Sequence, residues 1–161
     1  MRNRAGSSGF TLIEMLMVFV IMGIVLSLAS PKLSRAAGQM AVRNSRNEVS
    51  AMISLARALA IQNGRKTAFI QEGNTVRVEL AQGSGSATDT MAIRDLSAQH
   101  KVALGPNAKV TIPFDPRGFA IPTSKDQSRV ITMTRDGFTD TVCVFGLGKI
   151  STDSDKCATL Q

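Results

Sequence analysis

Between Phe10 and Ser30 the chain runs for twenty-one residues with one charge, Glu14. That run is long enough to span a hydrocarbon core as a helix, and few soluble folds can bury it. The acid is the anomaly. A carboxylate at the centre of such a helix costs about 2.5 to 3.5 kcal/mol on insertion scales. Glu14 lies only about 6 Å along the helix from Phe10 at roughly 1.5 Å per residue, which places it near one membrane face. The segment contains no basic residue to pair with it.

A secretory signal has its cleavage site after the apolar region. Here Ser27-Leu28-Ala29 and Ala29-Ser30-Pro31 form a poor small-residue site, and the run exceeds a usual signal core. Arg2 and Arg4 precede the segment, whereas Lys32, Arg35, Arg43 and Arg46 follow it. Counting flanking charge would keep the C-terminal part inside, but long domains translocate largely regardless of charge.

The hexapeptide Gly9-Phe10-Thr11-Leu12-Ile13-Glu14 resembles the class III signal of type IV pilins and type II secretion pseudopilins. The resemblance implies cutting by a prepilin peptidase after Gly9 and N-methylation of the new terminus, Phe10. It also implies an assembly role for Glu14, the family's acid at the fifth mature position. A physical reason accompanies that role. Cleavage leaves a positive amine at the membrane edge, and a carboxylate one turn away can pair with the amine of its own chain or a neighbour's. A helix N-terminus favours such a charge by about 0.3 to 1 kcal/mol. Gly23 and Pro31 also fall where pilins commonly carry these residues.

Charge is unevenly spread. Residues 1–66 hold nine Lys/Arg and two acids, a net of +7, while residues 67–161 hold ten of each and balance. The overall +7 therefore describes the leader and helix, and a nucleic-acid function does not follow from net charge.

Helical character continues past Pro31, because 32–63 is proline-free and alanine-rich. Met40, Ala41, Ala51, Met52, Leu55, Ala56, Leu59 and Ala60 recur at helical spacing and predict a narrow small-residue stripe. Arg35, Arg43, Arg46 and Arg57 are expected on other faces. Asn63-Gly64 reads as the C-terminal cap. From Lys66 the period becomes two: 66–71 and 75–80 predict strands joined by a turn at Glu72-Gly73-Asn74. Gly83-Ser84-Gly85-Ser86 predicts a loop. Further strands are expected at 91–96, 101–104, 110–114, 129–134 and 138–145, with turns at Asp115-Pro116-Arg117-Gly118 and Arg135-Asp136-Gly137. Short turns indicate an antiparallel sheet. The expected class is thus α+β: a long N-terminal helix, membrane-spanning in its first half, packed on one antiparallel β-sheet. The divisions are 1–9 leader, 10–30 transmembrane helix, 31–64 helix continuation and 65–161 periplasmic β-sheet domain.

The stretch 55–64, followed directly by a strand, is similar to the GspH/FimT family, as are Ile112-Pro113-Phe114-Asp115-Pro116-Arg117-Gly118 and the strand ending in Gly146-Leu147-Gly148-Lys149. That resemblance implies a minor pilin of the FimU or FimT kind, or a minor pseudopilin. The implied role is to prime assembly of a type IV pilus, or of a type II secretion pseudopilus. Implied partners are other major and minor pilins or pseudopilins, the prepilin peptidase and the inner membrane, with the C-terminal domain in the periplasm.

The two cysteines, Cys143 and Cys157, enclose a fifteen-residue loop counted inclusively. A periplasmic location permits a disulfide between them, worth about 3 kcal/mol in the chain-entropy model. Such a C-terminal loop is common in type IV pilins and unusual in pseudopilins, which favours the pilus.

Other chemistry is thin. His100 is the only histidine and reads as a surface residue, so neither a metal site nor a Ser-His-Asp arrangement is defensible. Asp153-Ser154-Asp155 lacks the third acid and the glycine of a calcium loop. No cofactor, metal or enzymatic activity is expected. Some FimT-like pilins take up DNA through a Gly-Arg-x-Arg tail, and the matching positions are Gly148-Lys149-Ile150-Ser151. Only Lys149 and Lys156 are basic there, beside Asp153 and Asp155, whereas phosphate contacts need several cations. DNA as a partner is therefore disfavoured.

Overall fold

The computed structural model describes residues 10–82, 87–121, 129–145 and 148–158, with the backbone alone at 28–31. The expected loop at Gly83–Ser86 and the cleavage residue Gly9 lie outside the described residues. The chain divides into two compact units, Met1–Ala37 and Gly38–Gln161. The helix α1, Leu12–Asn63, contributes to both.

Within the second unit, α1 buries a stripe formed by Gly38, Ala41, Val42, Ser45, Val49, Met52, Ile53, Ala56 and Ala60. The spacing of three and four residues is that of one helix face. This corrects the expected stripe: Met40, Ala51 and Leu55 are exposed, while Val42, Ser45, Val49 and Ile53 take their places. Arg46 and Arg57 do not simply point away, since both are only half exposed and contact the domain. The helix stops as expected. Gly64 adopts φ 61°, and the Arg65 N–H donates to the Ala60 carbonyl at 3.3 Å. That is the 6→1 bond of a Schellman cap.

Two sheets follow, where one was expected. The first has the order β3-β2-β1-β5, formed by β1 (Thr67–Glu72), β2 (Thr75–Ala81), β3 (Thr88–Asp95) and β5 (Val110–Phe114). The second has the order β4-β6-β7-β8, formed by β4 (Ala103–Gly105), β6 (Val130–Arg135), β7 (Phe138–Val144) and β8 (Ile150–Ser151). All pairings are antiparallel. The break between sheets is local. Asp95 ends β3 and caps a five-residue helix α2, Leu96–His100, accepting from Ser97 N–H and Ala98 N–H at 2.9 and 3.0 Å. Lys101 then turns left-handed at φ 54°, and the chain emerges into the second sheet.

The two sheets and the helix share one core that includes Phe69, Ile112, Phe114, Leu96, Ile131 and Met133. Each such side chain contributes about 1.5 to 3 kcal/mol by leaving water. Directional bonds fix the register. The Thr67 hydroxyl donates to the Ala56 carbonyl at 2.6 Å, joining β1 to the helix. Asn74 accepts from Leu104 N–H at 2.9 Å through its side chain and from Leu96 N–H at 3.1 Å through its carbonyl. One hairpin turn thereby holds both α2 and β4. The C-terminal tail forms β8 and a third helix, α3, Ser154–Ala158.

Candidate functional site

The N-terminal segment is built by its first turn. Thr11 precedes α1, and its hydroxyl and carbonyl accept from Glu14 N–H at 3.3 and 3.1 Å. Thr11 is therefore the N-cap and Glu14 the third helical residue, the Thr-x-x-Glu spacing of a capping box. The cap places the Glu14 carboxylate in the first turn, where the helix dipole favours it. Sequence reasoning took Thr11 only as part of a motif, although its spacing to Glu14 carries the signal. Phe10 lies just outside the helix and is 75% exposed.

From Phe10 to Ser27 every residue is exposed, with Leu12 at 84%. Among the described residues, no single helix is long and apolar enough to cross a membrane. Leu12–Ser27 and Lys32–Asn63 meet the length and composition requirement together.

The C-terminal region is a second candidate site. Cys143 in β7 and Cys157 in α3 form a disulfide with Cα atoms 5.5 Å apart. It is buried with Val130 and flanked by Phe145. The bridge pins α3 against the sheet. Gly148, at φ 75°, lies under the Arg57 side chain, whose Nη1 donates to its carbonyl at 3.4 Å. Lys149 is exposed, while Ile150 and Ser151 are held in β8. Ser151 thus occupies a strand where a DNA-uptake motif carries its second arginine. Asp153 accepts from Asp155 N–H at 3.2 Å and pairs with Lys156 at 3.3 Å. The Lys156 ammonium and these backbone donors hold its carboxyl below the usual range. Among the described residues, no three His, Cys, Asp or Glu side chains gather in a metal-binding cluster.

Two further polar centres organise the domain. His100 is not a free surface residue: it is half-buried, with Nε2 2.9 Å from Glu48 Oε2 on α1. Arg94 Nε lies 3.5 Å from the same carboxylate. In the turn after β5, Asp115 accepts from Phe119 N–H at 2.8 Å and Arg117 N–H at 2.9 Å. These bonds, with the Arg117 side chain, hold its carboxyl below the ordinary range.

Comparison with known proteins now bears on this geometry. The prokaryotic N-terminal methylation motif matches residues 4–30. The fold matches the type IV minor pilin FimU of Pseudomonas aeruginosa strain PAO1 in two crystal forms. One match has a TM-score of 0.54 at 17% identity, covering 70% of this chain and 87% of that one. The other has a TM-score of 0.51 at 17% identity, covering 69% and 91%. No curated protein sequence matches the chain significantly. The chain has a type IV pilin-like fold and carries the N-terminal methylation motif. Its long N-terminal helix on antiparallel sheets is the pilin-like arrangement, and the methylation motif overlaps the first part of that helix.

Proposed function

We propose that the chain is a minor pilin that primes assembly of a type IV pilus and is incorporated into it. The observation that carries this reading is the uncovered apolar surface from Phe10 to Ser27, begun by a capped Glu14 and attached to a FimU-like fold. Such a surface needs lipid before assembly and other helices after it. In this reading a prepilin peptidase cuts between Gly9 and Phe10, and Phe10 is methylated. The segment 10–30 stores the subunit in the inner membrane. Residues 31–64 continue the helix, and 65–161 form the periplasmic domain. Glu14 pairs with the Phe10 amine of its own chain or of a neighbouring pilin. The role is structural, and no residue is assigned a catalytic step.

The disulfide between Cys143 and Cys157 favours the pilus over a type II secretion pseudopilus. A deletion scored side by side for surface pili with twitching motility and for exoprotein secretion tests this. Lost or reduced pili with normal secretion is the expected outcome. Normal pili with exoproteins trapped in the periplasm would reassign the chain to secretion as a pseudopilin.

A further inference from the structure

The described part of the first unit carries charge at Glu14, Lys32 and Arg35. Between Glu14 and Lys32 there is none. Along the helix Lys32 lies about 27 Å from Glu14, and Arg35 about 32 Å, at roughly 1.5 Å per residue. A hydrocarbon core is about 30 Å thick, and the headgroup layers add about 5 to 7 Å on each side. With Glu14 at one face of a bilayer, Lys32 and Arg35 therefore fall at the other. Lys32 sits where its long stem can snorkel outward, and Arg35 sits among the headgroups.

The surroundings of the two cations are open. Lys32, Leu33, Ser34, Arg35, Ala36 and Ala37 are all exposed, so the stretch is a collar with no wall beside it among the described residues. A spacing of three puts Lys32 and Arg35 on one helix face. Neither has a carboxylate partner among the described residues, and Glu14, the one acid in the described part of this unit, stands at the far end. Their position sets them apart from the other cations of the described residues, which lie in the second unit. These two follow the exposed apolar stretch Phe10 to Ser27 along the same helix.

We propose that Lys32 and Arg35 hold the headgroup phosphates of anionic phospholipids in the periplasmic leaflet of the membrane that stores the subunit. The inference rests on the membrane storage in the reading above. An Arg guanidinium takes two phosphate oxygens at once, and a Lys ammonium binds as a point charge. An anionic headgroup is preferred over a zwitterionic one, because the latter carries its own ammonium and leaves the charge of the pair uncompensated. Each cation close to an anionic surface contributes roughly fivefold in affinity. An acid on a protein neighbour needs a surface on this chain to dock against, and the exposed collar supplies none.

The test is a photo-crosslinking phenylalanine derivative in place of Ala36 in the full chain. The protein is reconstituted in vesicles of equal parts phosphatidylglycerol and phosphatidylcholine with matched acyl chains, and adducts are read by mass spectrometry. The same derivative at Val20 reports on the bilayer interior. At Ala36, phosphatidylglycerol adducts should exceed phosphatidylcholine adducts by roughly fivefold or more, while at Val20 the two should be equal. Lys32→Gln combined with Arg35→Gln should bring the Ala36 ratio close to one, with the melting of the domain unchanged. Should the double variant fail to insert, each single variant should still lower the ratio. Equal lipid adducts at Ala36, or a phosphatidylglycerol excess that survives these variants, would overturn this inference and leave membrane storage intact. So would lipid adducts at Val20 with none at Ala36. No lipid adduct at either position would overturn both readings. In cells, an Ala36 adduct to a protein of the membrane fraction in place of lipid would also overturn the inference.

Discussion

Replacing Cys143 and Cys157 together by alanine should loosen the C-terminus before it unfolds the domain. The bridge joins positions 14 apart in sequence, a loop whose closure in the unfolded chain is worth about 3 kcal/mol in the chain-entropy model. For a domain of this size that corresponds to a fall of roughly 10 °C in melting temperature. The elements inside the loop explain where the loss appears first. α3 has five residues and β8 two, and isolated helices of fewer than about 12 residues are marginal in water. Without the bridge, 149–158 should open locally while the β6–β7 ladder holds. Hydrogen exchange on the detergent-solubilised full chain is the assay. Protection at Ile150 and Ser151 should fall well before protection at Ile131 and Val142. Unchanged protection at β8, or a melting temperature within about 2 °C of the parent, would refute the reasoning.

Glu48→Gln removes the charge that holds His100 and Arg94 to α1, and should cost about 1.5 kcal/mol in urea unfolding, the low end for a charged hydrogen bond at a half-exposed site. Gly118→Ala meets both a left-handed φ of 84° and the Ile61 side chain, and should destabilise by about 1 to 3 kcal/mol, read in the same unfolding series. Asp115 has a folded-state pKa below its unfolded value, so its stabilisation is present above the ordinary Asp range near 3.9 and is lost as pH falls through the depressed value. Melting should therefore be insensitive to this group from about pH 5 to 8 and weaken in acid, and Asp115→Asn should remove that part of the acid sensitivity. Glu14→Ala should block efficient assembly without lowering the domain's melting temperature; filaments forming normally in that variant would end the charge-pairing idea.

Local signals in the sequence carried most of the fold. Gly64, the Gly73-Asn74 turn and Asp136-Gly137 each mark where the backbone reverses. The pair Asp136 and Gly137, with φ of 51° and 82°, has the two left-handed residues of a type I′ hairpin. What was not legible depends on tertiary competition. The buried stripe on α1 is displaced from the expected one because the sheets cover Val42, Ser45, Val49 and Ile53, whereas Met40 and Leu55 satisfy the same helical period from the exposed side. Helices of five residues such as α2 and α3 are shorter than any window that reveals periodicity. Asp95 belongs to a strand and a cap at once, so composition alone cannot place the break between sheets. His100 lacked a visible partner because Glu48 lies 52 positions away in the chain.

The central claim is that this chain is processed at Gly9–Phe10 and enters a pilus. Mass spectrometry of sheared, washed pili tests it most directly. The account predicts a peptide beginning at Phe10 with a methylated amine in the pilus fraction, at a small ratio to the major subunit. A chain retaining residues 1–9, or one confined to membranes while pili form without it, would contradict the account.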